Sequence, residues 1–343
     1  MGKMMITNSP TETSYKRLTA VTLAASIAVF LLIVAGGVVR VTGAGAACLD
    51  WPTCLGSFAP PQAESALLSY AHRALAALSV LLVGASALLA WIHFRRQSWI
   101  SRPIILAALL IIVQVLLSGA ASLAGSWAPF ADTGPSWVST LHLGLSLVIQ
   151  SALLVGLVAA YASWRSDAGD AQLKMRFRTQ FGRLSWVTFG MLFVLLVSGA
   201  LVSGSGATAA CSSWPLCTTE LVSGDSAAWL NLLHRAIVAA TGILMAALLV
   251  KAWRTQRSAT PILVATTSAV VLFYSQALLG ARLGEGYPAY LLGMHTATAV
   301  AVWAALTIQV VFVGLAGRSA EDEAVDVAVV RAGRKGLAKD LLM

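Results

Sequence analysis

Four histidines carry the first chemical signal in this chain. His72, His142, His234 and His295 lie at the start of long apolar stretches, in "YAHRALAAL", "LHLGLSL", "LLHRAIVAA" and "LLGMHTATAV". An imidazole in apolar surroundings is costly unless it is hydrogen-bonded or holds a metal. A lone one reads as a satisfied core residue. Two on neighbouring helices of a bundle, and that arrangement twice over, instead suit the axial ligation of a b-type haem. The fifth histidine, His93, stands beside Arg95 and Arg96 and reads as solvated.

All four cysteines fall in two copies of one short loop. Cys48 and Cys54 bracket "CLDWPTC", and Cys211 and Cys217 bracket "CSSWPLC". Each pair is close enough in sequence to bridge, provided the loops face an oxidising compartment. A bridge there would either stiffen a cap over the helix ends or act in thiol exchange; four free thiols are the bland alternative. Zinc is disfavoured, because no further cysteine is at hand.

Long helices have to position these groups. The chain is 58% hydrophobic and 11% charged, with a mean hydropathy of +0.80, which excludes an ordinary soluble domain. Apolar runs recur at 18–41, 68–92, 103–124, 138–164, 184–204, 227–253, 261–283 and 290–316. Each is long enough to cross a hydrocarbon core of about 30 Å as a helix. The expected fold is therefore all-α and polytopic, with eight transmembrane helices and an uncleaved first span. All but four of the 23 Lys and Arg lie in the N-terminal arm, the even-to-odd loops and the tail. The positive-inside rule makes that side, and both termini, cytoplasmic in a plasma (inner) membrane. An anionic inner leaflet accounts for the net charge of +9 without nucleic acid. The four exceptions are Arg40, Arg73, Arg235 and Arg282, all at outer span ends near the histidines. Guanidinium groups there suit carboxylates, such as haem propionates.

The chain is also written twice. The cysteine loops, the His-Arg helices around His72 and His234, "QVLLSGA" and "QALLGA" from Gln114 and Gln276, and the openings at His142 and His295 match in the same order. That order predicts two tandem, pseudo-symmetric four-helix bundles. An arm at 1–17 precedes the first half at 18–164; a basic linker at 165–183 leads to the second at 184–316, and a tail at 317–343 follows. The tail has no clear pattern and is expected to be mobile. Gln114 and Gln276 are expected to make interhelical hydrogen bonds. Arg40 aligns with Ser203 and Arg282 with Ala120, so the two pockets are not equivalent.

At this point the chain resembles the haem A synthase family. The resemblance is carried by "GGVVRVTGAGAACLDWPTC", "HRALAAL", "HLGLSL", "VSGALVSGSGATAACSSWPLC", "LLHRAIVAATG" and "LLGMHTATAV", and it covers about residues 18–316. It implies oxidation of the C8 methyl of haem O to a formyl group, for cytochrome oxidase biogenesis. It implies a resident haem b held by His234 and His295, with Arg235 and Arg282 on its propionates. It implies a substrate haem at His72 and His142, with Arg40 and Arg73 on the propionates, and disulfides at Cys48–Cys54 and Cys211–Cys217. Haem O synthase, cytochrome oxidase assembly proteins and a second copy of the chain are candidate partners; the electron donor is not identified.

One position departs from the family. A Glu usually stands three residues before the first histidine, and here that place is Ser69, in "LLSYAH". Glu64, five residues further out, is the alternative carboxylate for the chemistry. Two other functions stay open: a di-haem b-type membrane cytochrome passing electrons, and a non-catalytic haem carrier or assembly factor. Four histidines all at outer span ends weigh against the cytochrome, and Ser69 favours the carrier.

Overall fold

Inside lipid every backbone polar group has to be satisfied within its own segment, so long apolar runs fold as helices. The computed structural model describes residues 10–48, 50–123, 136–165, 175–211, 213–217, 224–282 and 289–340, with side chains throughout except at 119–123, 136–138, 289 and 317–340. Residues 166–174 of the basic linker at 165–183 and the first nine residues of the N-terminal arm lie outside the described residues. The described chain holds eight α-helices: α1 (Glu12–Val41), α2 (Glu64–Phe94), α3 (Ser98–Leu123), α4 (Ser136–Arg165), α5 (Gln180–Gly204), α6 (Ser226–Thr255), α7 (Thr260–Ala281) and α8 (Ala289–Asp340). All eight contain a stretch long and apolar enough to cross a membrane. The protein is a multi-pass, all-helical membrane protein. Several helices start earlier than their apolar runs because polar caps extend them: the Thr11 hydroxyl accepts from the Ser14 N–H, and Asp225 accepts from the Ala227 N–H. The helical path of α8 continues beyond its apolar part to Asp340.

The packing order defines two closed rings. In the first, α1 touches α2, α2 touches α3, α3 touches α4, and α4 returns to α1; α5 to α8 close in the same way. Among the described residues the diagonal pairs, α2 with α4 and α6 with α8, make no close backbone approach. Each pair therefore faces across the middle of its ring. The halves join through α1 on α8, α4 on α5 and α4 on α8.

Large side chains lock the join. Trp303 of α8 is 2% exposed, and its indole N–H donates to the Leu147 carbonyl of α4 at 2.9 Å. Its ring stacks on Phe189 of α5, with centroids 4.3 Å apart. A polar pair adds to it, Ser151 of α4 with Thr307 of α8 at 3.3 Å, while Gln309 of α8 donates to the Ser185 hydroxyl of α5 at 2.9 Å within the second half. On the outside, Leu81, Leu116, Ile243 and Leu278 stay exposed, as a lipid-facing surface requires. Trp303→Ala removes a stacked ring and the α8-to-α4 hydrogen bond together. It should cost about 3–5 kcal/mol, read as a lower unfolding temperature in detergent, whereas Trp303→Phe should cost clearly less.

Candidate functional site

The four histidines meet in pairs, across the rings rather than between neighbours. His72 sits early in α2 and His142 early in α4; His234 sits early in α6 and His295 early in α8. The sequence alone suggested ligands on adjacent helices. The structure puts them on diagonal ones, because helices in contact would leave no room for a ligand between the rings. Within each pair the imidazoles lie in electrostatic range of one another.

Glycines on the flanking helices seat these rings. A methyl added at Gly36 of α1 would lie 3.0 Å from His72 Cε1; at Gly199 of α5, 3.1 Å from His234 Cε1; and at Gly280 of α7, 3.0 Å from His295 Cε1. Any side chain at those places would push the imidazole out of line. The seats also fix ring orientation. His234 Nδ1 is bonded to the Ser198 hydroxyl at 2.8 Å. Nδ1 of His72 and of His295 is buried without a full hydrogen bond, within weak polar range of the Leu32 and Gln276 carbonyls. Yet all four histidines are only half-buried as residues. For His72 and His295, with Cε1 packed and Nδ1 covered, the Nε2–Cδ2 edge is the open one. Imidazoles carried on two facing helices of each ring fit a bis-histidine haem. Gln114 of α3 steadies the second ligand of the first pair by donating to the His142 carbonyl at 3.1 Å and to Ser146 at 2.6 Å.

A cap stands over each pair. Where α1 and α5 end, Gly43 and Gly206 take left-handed conformations, with φ of 68° and 74°, which only glycine adopts freely. A short 3₁₀ turn follows each, Ala44–Ala47 and Ala207–Ala210. Then come the cysteine loops, closed by disulfides Cys48–Cys54 and Cys211–Cys217. Both loops contain a cis Trp-Pro peptide, at Pro52 and Pro215. All four cysteines are at most 4% exposed. They pack on the first turn of the histidine helix, against Ala66 in one cap and Ala228 in the other. Such burial suits closure of the cap and not thiol exchange.

The arginines that follow the histidines serve these caps. Arg73 donates to the carbonyls of Cys48, Asp50 and Thr53. Arg235 donates to those of Ser213 at 2.6 Å and Pro215 at 3.1 Å. The structure thus gives both guanidinium groups partners in the caps, beside the propionate role expected of them. A tight loop turns several carbonyls inward with no N–H to meet them, and a guanidinium fork satisfies them together. Arg40 and Arg282 close α1 and α7 at the same end of the rings. Asp50 ties the first loop further, accepting from Leu55 N–H at 2.8 Å, from Gly56 N–H at 2.9 Å and from the Thr53 hydroxyl. The Thr53 and Gly56 hydrogen bonds draw its carboxyl down from 3.8 to about 2. A carboxyl lowered on folding stabilises the loop above its ordinary range, and that contribution fades as pH falls toward 2.

Of the two positions expected to bear on the chemistry, one is exposed and the other buried. Glu64 is the exposed first residue of α2, where its charge suits the helix N-terminus. Eight residues of helix, about 12 Å of rise, separate it from His72. Ser69 is 5% exposed, and its hydroxyl donates to the Ala44 carbonyl at 2.6 Å. In the second half Asn231 does the same, donating to the Ala207 carbonyl at 2.7 Å. Both pin the histidine helix to the 3₁₀ turn. Asn231, Ser198 and the three glycine seats escaped the sequence reading. The repeat held a signal for two of them, since Asn231 matches Ser69 and Gly199 matches Gly36.

Arg73→Gln and Arg235→Gln should free the caps: loop amides should exchange hydrogen faster, and the disulfides should become alkylatable after mild reduction of the native protein. Lysine should not rescue Arg73, because one ammonium cannot span three carbonyls.

With this geometry in view, comparison with known proteins is specific. The family of cytochrome oxidase assembly proteins, COX15-CtaA, matches residues 19–307. The chain is 25% identical over 259 residues to the Heme A synthase of Staphylococcus haemolyticus, covering 75% of this chain and 82% of that protein. It is 26% identical over 270 residues to the Heme A synthase of Staphylococcus saprophyticus, covering 78% and 86%. To that of Bacillus licheniformis it is 28% identical over 245 residues, covering 69% and 73%. A match over most of the chain, including both histidine pairs, places it: this protein belongs to the COX15-CtaA family of cytochrome oxidase assembly proteins.

Proposed function

We propose that this protein is a haem A synthase-type membrane oxidoreductase that converts the C8 methyl of haem O to a formyl group. The observation that carries the reading is the pair of diagonal bis-histidine sites, one in each half, at one end of the rings. The caps and that end face the outer side of the plasma (inner) membrane, with both termini cytoplasmic, as the distribution of basic residues supports.

The two sites divide the work. His234 and His295 hold a resident haem b; His72 and His142 receive haem O. Ser198 supports this assignment: it orients His234 through Nδ1, while the matching place in the first half is Ala35. A ligand held from behind suits permanent occupancy, and one left without that bond suits exchange. When bound, haem b supplies one-electron redox chemistry close to the substrate site. The chain's own residues bind and orient. The imidazoles would hold each haem, Arg40 and Arg282 would meet its propionates, and Arg73 and Arg235 would add positive charge there while holding the caps. The disulfide-closed caps limit water over the reacting edge and hold the methyl in place.

A second reading has one observation behind it. Ser69, at the family's Glu position, is engaged as a pin, as Asn231 is, and among the described residues no carboxylate stands beside His72. A haem-holding assembly factor without oxidation would need none. Co-expression with a haem O synthase, followed by extraction of the pigments, separates the two: haem A in the extract supports the enzyme, and haem O bound unchanged supports the carrier. Glu64→Gln should leave the outcome unaltered, since that carboxylate is distant and exposed.

His234→Ala or His295→Ala should remove the resident b-type spectrum, while His72→Ala or His142→Ala should leave it and abolish conversion of haem O. The reverse pattern would exchange the roles of the halves. Ser198→Ala should weaken retention of the resident haem roughly 10–100-fold, measured by transfer to an apo-acceptor protein, and Ser198→Thr should retain most of it.

A further inference from the structure

The two halves touch through α1 and α8 at the level of the histidines, and glycines make the contact from both sides. A methyl added at Gly37 of α1 would lie 2.6 Å from Thr296 Cγ2, 3.1 Å from its Oγ1 and 3.2 Å from its Cβ. No Cβ tolerates the first of these, so the α1 backbone is pressed directly on the threonine. Close by the roles reverse: a methyl at Gly293 of α8 would meet Val38 Cγ2 of α1 at 3.4 Å. Reciprocal small residues let helix backbones approach closely inside a membrane. The Thr296 hydroxyl turns back onto the Leu292 carbonyl at 3.0 Å, which keeps its methyl aimed at Gly37.

The neighbours of these residues give the contact its meaning. Gly36, directly before Gly37, is the seat of His72, and Thr296 directly follows His295. One residue step on α1 thus separates the wall of the first site from the turn that carries a ligand of the second. The other join between the halves, α4 on α5, is built differently. At the matching positions of the sequence repeat stand Ala200 for Gly37 and Leu143 for Thr296. The closest glycine there, Gly144, would place a methyl in ordinary contact with Phe193, at 3.7 Å.

We propose that Gly37 and Thr296 are positioning residues that tie the two histidine sites into one rigid unit, so that the His72 seat and the His295 turn cannot shift independently. The inference rests on reading both pairs as haem ligands. A close-packed interior transmits a displacement instead of absorbing it, and here the displaced backbone belongs to both sites.

The test uses the full chain in detergent, loaded with haem b. His72→Ala and His234→Ala backgrounds isolate the second and the first site in turn. Visible spectra, low-spin EPR signals and midpoint potentials read each. Gly37→Ala should lower haem retention and shift the EPR signal and potential in both backgrounds. Adding Thr296→Ser removes Cγ2 but keeps the hydroxyl bond, and should restore both. Gly84→Ala, where an added methyl meets nothing within 4 Å, should change neither. A response confined to one background, or no recovery with Thr296→Ser, overturns the proposal. If Gly37→Ala does not accumulate, accumulation of the double variant supports the coupling and equal loss of both overturns it. Failure of the unsubstituted chain to take up haem would defeat the functional reading instead; uptake with both sites indifferent to Gly37→Ala would defeat only the coupling.

Discussion

An imidazole inside an apolar bundle needs a flat wall on one side and something for its ring nitrogens to meet. Most of this architecture follows from that requirement. Glycines at Gly36, Gly199 and Gly280 supply the wall by omitting a side chain. The ring-shaped packing of four helices supplies the gap, because the diagonal helices bearing each pair stay apart. A planar macrocycle bridging that gap would meet an imidazole from each side. The glycines are weak helix formers, so their presence in long spans has to be explained by what they touch.

The caps answer a second constraint. The short loops closed by each disulfide bring many carbonyls together with few donors. Each loop is closed covalently, pinned by Ser69 or Asn231, and clamped by an arginine from the helix it covers. Because that arginine directly follows the histidine, loop closure and ligand placement share one helical turn. A change in the loop is felt at the ring without any contact between them.

Much of this was legible in the sequence. The eight spans came from apolar run length, the recurring histidines from their order in the repeat, and the bridged cysteines from identical spacing. What could not be read was direction. Arg73 looks like an anion partner because it stands beside a histidine at a span end; only the folded loop shows that its donors are already engaged by three carbonyls. Glu64 could approach the site if a loop there folded inward, but it opens α2, and the step along that helix axis leads away from the site. Pairing across a diagonal was equally hidden, since chain order says which helices follow one another but not which face one another. The glycine seats leave little mark: the repeat matches Gly199 to Gly36, but what distinguishes Gly36 from Gly84 is what each one touches, and that requires the packed structure.

The contacts around each cap are also local in the chain. Between Gly36 and Arg73 lie the ring seat, the left-handed turn, the bridged loop, the Ser69 pin and the arginine clamp; between Gly199 and Arg235 lie their counterparts. The hairpins α1–α2 and α5–α6 can therefore each be completed as soon as they enter the bilayer, without waiting for distant parts of the polypeptide. The second ligand of each pair arrives with α4 and with α8, the last helix of its ring. Biogenesis would then proceed as two finished half-sites, each awaiting one late helix, and a cofactor could be captured only as that helix docks.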